Sequence, residues 1–573
     1  MSHVPSGFIS VPCAPLDMAG NEKVAMVTKT IFFATPLDTR HMRETFYDLQ
    51  RQWPYLASRL RKGRGRYQDL WTVHVPMAAK LEELIRADHL CLPARRRIPM
   101  FSSEERDHES LYTVFPFAKL AQNSHKLPQS TPTIAKYDRN ELLRNFTSSD
   151  SLQSFEDYFK TDAAIFAAHV VNFADGAAFT FTVPHACFDG AGAKKVLVAY
   201  LELLRGEPMS TPPPPLGYDP FSQYAPDPSR LEQIAQDGCD EEAIRSKEVT
   251  PPPPEQWRVL GVVGVIVFLW YTAYDYFFDR PVKKMDRVMI YLPPKYVNKL
   301  KDQTRSEIEA EYGAETANSL RLSRANAMHA WVLKNELARR VDVNPDRMAM
   351  HGTLANIRYR LPRGLASIHP NYTSNCLAVV ATPSKTTREL AASSMGAIAY
   401  DLRETLQRQT TPEAMEEFVR WQSWRGTPAS LGGGMEEGGT AVFFPTKARF
   451  TMITDWTKFG LWDLDFSGAL PKRSYLDSPP SVDNSDASST TTVTPNSEQC
   501  RMLAILCDSH NPLYHRNGWI MTGGRDGGCW ILGSMTEEER RHPEGWGRFD
   551  DAVIDDAVLH EDSVFEYALR KLS

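Results

Sequence analysis

The sequence predicts an α/β protein with more than one lobe, and three observations predict it. The chain has 573 residues, of which 42% are hydrophobic, enough to bury a large core and more than one lobe's worth of length. Residues 168–204 read as two strands, a glycine-bearing turn and an amphipathic helix. Residues 288–301 read as a further strand followed by a helix.

Taken in order, residues 28–33 alternate like a strand, and a helix beginning at residues 42–49 continues toward Trp53-Pro54 and Leu60. Segments 168–173 and 178–183 flank Asp175-Gly176, a hairpin signal. The second of these strands runs into Pro184-His185-Ala186-Cys187-Phe188-Asp189-Gly190, after which Val196, Leu197, Tyr200, Leu201 and Leu204 recur at helical spacing. Prolines 212–215 and 251–254 bracket an acidic, polar stretch read as a linker. Beyond Trp257, residues 259–274 are uncharged and mostly apolar. As a helix they would reach about 24 Å, short of the roughly 30 Å hydrocarbon core of a bilayer. An in-plane or partly inserted anchor is the expectation, and a buried core helix is the alternative. Residues 323–333 read as a helix presenting Ala327 and Trp331 to a core, and residues 478–497 as a Ser/Thr/Pro-rich surface insertion.

A formal charge of −6, from 65 basic and 71 acidic residues, gives no global case for nucleic-acid binding. The basic runs Arg59-Leu60-Arg61-Lys62-Gly63-Arg64 and Arg95-Arg96-Arg97 are expected to be solvated surface. The eight cysteines make no Cys-x-x-Cys pair, which predicts reduced thiols and no structural zinc. No secretory signal is evident at the N-terminus.

Of the fifteen histidines, only His185 has an aspartate four residues on. That spacing alone arises by chance about once in a chain this long; its place at the end of a strand is what singles it out. A surface i to i+4 helix contact is the plain reading, but the strand and Pro184 argue against continuous helix across the motif. A neutral imidazole facing a cavity suits general-base work near pH 7. Asp189 could orient it, as in a hydrolase triad. Cys187 has no helix N-terminus or basic neighbour to activate it and reads as a buried, inert thiol.

The His-x-x-x-Asp-Gly motif at His185, Asp189 and Gly190 resembles that of the CoA-dependent acyltransferase superfamily, whose branches include the BAHD-type transferases of plants and fungi and the condensation domains of peptide synthetases. Condensation domains normally carry a second histidine where this chain has Pro184, which favours the stand-alone transferase. Trp53-Pro54-Tyr55-Leu56-Ala57-Ser58-Arg59-Leu60, then Arg358, Arg360 and Pro362 with Tyr372 and Asn375, and finally residues 517–522 and 527–532, which resemble the family's last hairpin, follow the BAHD-type order. One departure is Asp465-Phe466-Ser467-Gly468-Ala469, which resembles the family's Asp-Phe-Gly-Trp-Gly without its tryptophan.

The resemblance implies two pseudo-symmetric α/β lobes, each a mixed sheet with helices, around a central solvent channel. Mapped onto this chain, residues 1–205 form the first lobe, 206–256 the linker, 257–280 the apolar segment and 281–573 the second lobe. It implies acyl transfer from acyl-CoA, as co-substrate with no bound cofactor or metal, to a hydroxyl or amine of a small, apolar metabolite. His185 would be the general base. Asp189 would turn away to pair with Arg358, and Gly190, Asp465 and Gly468 would support the site. The Asp465–Ala469 loop would shape the coenzyme side of the channel. An oxyanion donor is not readable; Ser323 is a candidate, with N-capping as its other role. The expected partners are acyl-CoA and a small acceptor, with peripheral membrane contact through 257–280, in a cytoplasmic monomer near an intracellular membrane. A catalytically silent ligand-binding protein and a carrier-dependent condensation-like enzyme are the rival readings.

Overall fold

The computed structural model describes residues 4–554 except 20, 63–69, 91–97, 125–126, 128, 226–250, 282–283, 362–367, 429–432, 435–439, 472–501 and 510–515. Most of the expected linker, the 478–497 insertion, Arg64, Arg95, Arg96, Arg97 and Pro362 lie outside the described residues.

Two sheets organise the molecule. Their principal strands are β1 (Met26–Phe33), β2 (Phe101–Arg106), β3 (Thr133–Tyr137), β4 (Ala167–Phe173), β5 (Gly176–Pro184), β6 (Met285–Leu292), β7 (Met348–Asn356), β8 (Leu377–Ala381), β9 (Arg449–Asp455), β10 (Met502–Ser509), β11 (Gly518–Gly523) and β12 (Cys529–Thr536). A five-stranded sheet runs in the order β10-β1-β5-β4-β2, and a nine-stranded sheet contains the path β8-β7-β9-β11-β12-β6-β3. Both are mixed: β2 lies parallel to β4, and β9 parallel to β7 and β11, among antiparallel neighbours. The expected hairpins form at β4–β5 and β11–β12.

The sheets exchange strands. β3, from the first half of the chain, pairs with β6 in the second sheet, and β10, from the end of the chain, pairs with β1 in the first. The linker therefore divides the chain but not the two sheets.

β1 explains how an alternating strand is buried on both faces. All eight of its residues are buried, and its threonines are satisfied across the sheet, Thr28 by Thr182 at 3.1 Å and Thr30 by Thr180 at 2.9 Å. Helix α1 (Gly190–Leu204) packs Val196, Leu197, Tyr200, Leu201 and Leu204 inward, the stripe its spacing predicts.

The run at residues 59–62 is only partly solvated surface: Lys62 is exposed, but Arg59 and Leu60 are buried. It is a strand paired with Trp71–Pro76, and Arg59, only 1% exposed, meets Asp162 at 3.0 Å. A charge run hides an inward position when strand alternation points one member at a partner.

The apolar segment forms α2 (Val262–Tyr274), continued by a π-turn at Asp275–Asp279. No residue of α2 is buried, so it is not a core helix. Val262, Val263, Ile266, Leu269 and Trp270 face outward, while Phe268 packs on Phe444 with centroids 5.9 Å apart. Residues Val262–Asp279 are long and apolar enough to cross a membrane by length and composition. Both ends are nevertheless tied to the same lobe. Arg258–Leu260 pairs with Thr440–Val442, and buried Arg280 meets Glu539 at 2.9 Å, which leaves no room for a single crossing.

Candidate active site

A cavity of about 1050 Å³ lies where residues of the two sheets meet, and His185 lines it. β5 ends at Pro184, and the next peptide is anchored twice: His185 N–H donates to the Ala25 carbonyl at 2.8 Å, and the His185 carbonyl accepts from Asn375 Nδ2 at 2.8 Å. The imidazole makes no side-chain hydrogen bond among the described residues. Its Nδ1 is buried, which leaves Nε2 as the nitrogen that reaches the cavity.

Asp189 turns away from His185. It is the N-cap of α1, accepting the Gly192 N–H at 2.7 Å, and it is 1% exposed. Arg358 grips it with both ends of the guanidinium, Nη1 to Oδ2 at 2.6 Å and Nη2 to Oδ1 at 3.0 Å. The Cys376 N–H adds a third donor at 3.0 Å. Arg358 also donates to the carbonyls of Tyr372 and Ser374, at 3.2 and 2.9 Å. Burial alone would lower the Arg358 pKa, but the Asp189 charge outweighs it and the net shift is upward.

The two chain segments touch here. A β-carbon on Gly192 would sit 2.0 Å from the Thr373 carbonyl oxygen, so only glycine permits this approach. Gly190 faces Trp456 and Phe459 across the cavity wall, with a β-carbon 2.9 Å from the Phe459 ring.

Asn375 ties a further carboxylate to the site. Its backbone N–H and Nδ2 both donate to Asp17 Oδ1, at 2.8 and 2.9 Å. Burial drives the Asp17 pKa up to about 8, against the opposing pull of those hydrogen bonds. Nothing in the sequence marked Asp17.

Lys29 was also missed. It is buried at 6% exposure on the cavity face of β1, with Nζ 4.4 Å from the centre of the Trp456 ring, and burial lowers its pKa. A lone lysine inside Met26-Val27-Thr28-Lys29-Thr30-Ile31-Phe32-Phe33 was the available signal.

Ser323 lines the cavity but is committed to a capping box, its Oγ donating to Asn326 Oδ1 at 2.7 Å and accepting the Asn326 N–H at 3.2 Å. It is a helix cap, as its other reading held. Cys187 is buried beside Cys13, whose thiol is pushed up by its hydrogen bond to Cys187 and by burial.

Asp465 and Gly468 do not line the cavity, which corrects the expected coenzyme-side role of their loop. The loop braces the far end of α1 instead. Asp465 accepts the Ser467 N–H at 2.9 Å, its carbonyl accepts from Arg205 at 3.2 Å, and a β-carbon on Gly468 would lie 2.6 Å from the Leu204 backbone. Phe466 packs on Phe33, with ring centres 4.7 Å apart. The lost tryptophan therefore leaves the cavity wall untouched; the preceding segment, with Thr454, Asp455, Trp456 and Phe459, forms that wall.

No family model matches the chain. It is 24% identical over 560 residues to acetyltransferase MATC1 of Mycosarcoma maydis, covering 95% of this chain and 97% of the relative. A solved structure of F. graminearum TRI101 complexed with coenzyme A and T-2 mycotoxin superimposes with a TM-score of 0.57 at 14% identity, covering 94% of this chain and 98% of that one. Along nearly its whole length, then, the chain is similar to proteins named acetyltransferases and shares the fold of a neighbour solved with coenzyme A. Vinorine synthase shares the fold, with a TM-score of 0.51 at 14% identity over 94% of this chain and 93% of its own. The architecture of the chain thus matches that of these structural neighbours.

Proposed function

We infer that the chain is a BAHD-type CoA-dependent acyltransferase, moving an acetyl or longer acyl group from acyl-CoA to a hydroxyl or amine of a small, largely apolar secondary metabolite. His185 is the general base. Nε2 takes the acceptor's proton as the oxygen or nitrogen attacks the thioester carbonyl, and the imidazolium returns that proton to the departing thiolate. No covalent acyl-enzyme is needed, because both substrates occupy one cavity. The single observation that carries the reading is the division of labour in the motif: Asp189 is consumed by Arg358 and Gly192, while the imidazole beside it is left unpaired at the cavity.

Lys29 supports the reading by bringing a positive charge to the wall, where the tetrahedral oxyanion would form. Lys194, Lys195 and Lys458 line the same cavity on the Gly190 side and suit the co-substrate's phosphates. The outward apolar face of α2 supports peripheral membrane contact by a cytoplasmic monomer. Cosedimentation with neutral vesicles, abolished by Trp270→Glu, is the check on that part.

Release of free thiol from acetyl-CoA in the presence of hydrophobic alcohols and amines tests the function. His185-dependent release supports it. Tight ligand binding with no release from any acyl-CoA would instead favour a silent binding protein.

A further inference from the structure

The cavity has a second charged end. Five arginines, Arg280, Arg340, Arg347, Arg449 and Arg516, crowd around Asp275, Asp279, Glu336 and Glu539, and none of the five is more than 7% exposed. Among the described residues this group carries one positive charge in excess. The surplus is localised. Arg449 and Arg516 line the cavity, and Nε and Nη1 of each have no hydrogen-bond partner among the described residues. Their remaining nitrogens reach only Asp279 at 2.6 Å and Asp275 at 3.5 Å. Burial lowers the pKa of both to about 10, with repulsion from neighbouring arginines adding to it against the pull of Asp275 and Asp279. A buried guanidinium with free donors is costly unless an anion completes it.

We propose that Arg449 and Arg516 bind a carboxylate carried by the acceptor, so that this acyltransferase modifies an elongated, lipophilic acid. The proposal rests on acyl transfer at His185 and adds the chemical class of the acceptor. Arg449 opens β9 and Thr454 stands five residues on, so at about 3.3 Å per residue the arginines lie roughly 17 Å along the strand from the wall beside Trp456 and the motif. Phe268, Phe444 and Phe450 line the cavity on the arginine side and would clothe an apolar body. One surplus charge matches a monoanion. The polyanionic, bulky nucleotide of the co-substrate suits the lysines at the other end, one of which, Lys458, is exposed.

The test is binding, not turnover, so its outcome is independent of the reaction assigned to His185. Calorimetric titration of the full chain with ω-hydroxydodecanoate and with its methyl ester should show the acid binding at least ~tenfold tighter. Arg449→Gln and Arg516→Gln should each erase that preference while leaving the affinity for coenzyme A unchanged. Equal affinity of acid and ester for the unmodified chain would overturn the proposal, and that comparison needs no variant to fold. So would a preference that survives both substitutions, or a loss of coenzyme A affinity in their place.

Discussion

Asp189 and Arg358 form a two-pronged ion pair, 2.6 and 3.0 Å long, between the residue that caps α1 and a turn of the second half of the chain. Removing one partner strands a buried charge, so Asp189→Ala should cost about 3–5 kcal/mol. The folded fraction should keep measurable turnover because the carboxylate does not touch His185. Denaturant midpoints alongside specific activity of the soluble fraction check this; a fully stable but inactive variant would contradict it.

His185→Ala should lower kcat by roughly 10²–10⁴-fold, the usual worth of a positioned base. The melting temperature should hardly move, since the ring makes no hydrogen bond among the described residues and its backbone anchors survive.

Asp17 makes stability depend on pH in a direction opposite to most carboxylates. Its pKa is about 8 when folded against an ordinary 3.8, so between those values the folded chain holds a proton that the unfolded chain has lost. Stability should fall as pH rises through that window and level off above it. Asp17→Asn should flatten this component, read from melting temperatures across the window.

Lys29→Met should raise the melting temperature, because an ammonium is no longer desolvated, and should lower kcat by roughly a hundredfold if its charge faces the oxyanion. Parallel loss of stability and activity would mean the lysine is structural.

Gly192→Ala places a methyl group 2.0 Å from the Thr373 carbonyl oxygen. A backbone partner cannot swing aside, so the penalty should be about 3 kcal/mol or more. It should appear as loss of soluble protein or a lowered unfolding midpoint.

The motif itself was legible because it is local: a strand end, Pro184, two glycines and a helical stripe within about twenty residues. The Arg358 partnership came from the resemblance, since nothing in the spacing of 189 and 358 encodes their contact. Arg59 was misplaced because a charge run looks the same whether strand alternation points its members out or in. Asp17, Lys29 and the arginine cluster were invisible for one reason. Each draws its significance from burial against residues far along the chain, and composition does not record burial.

The crossing of β10 into the first sheet has a consequence for how the molecule is made. Until residues 502–509 have left the ribosome, β1 has an open edge, and the layer carrying His185 waits unfinished. Neither half, expressed by itself, would be a self-sufficient unit; residues 502–509 must be made before the sheet beside the cavity can close.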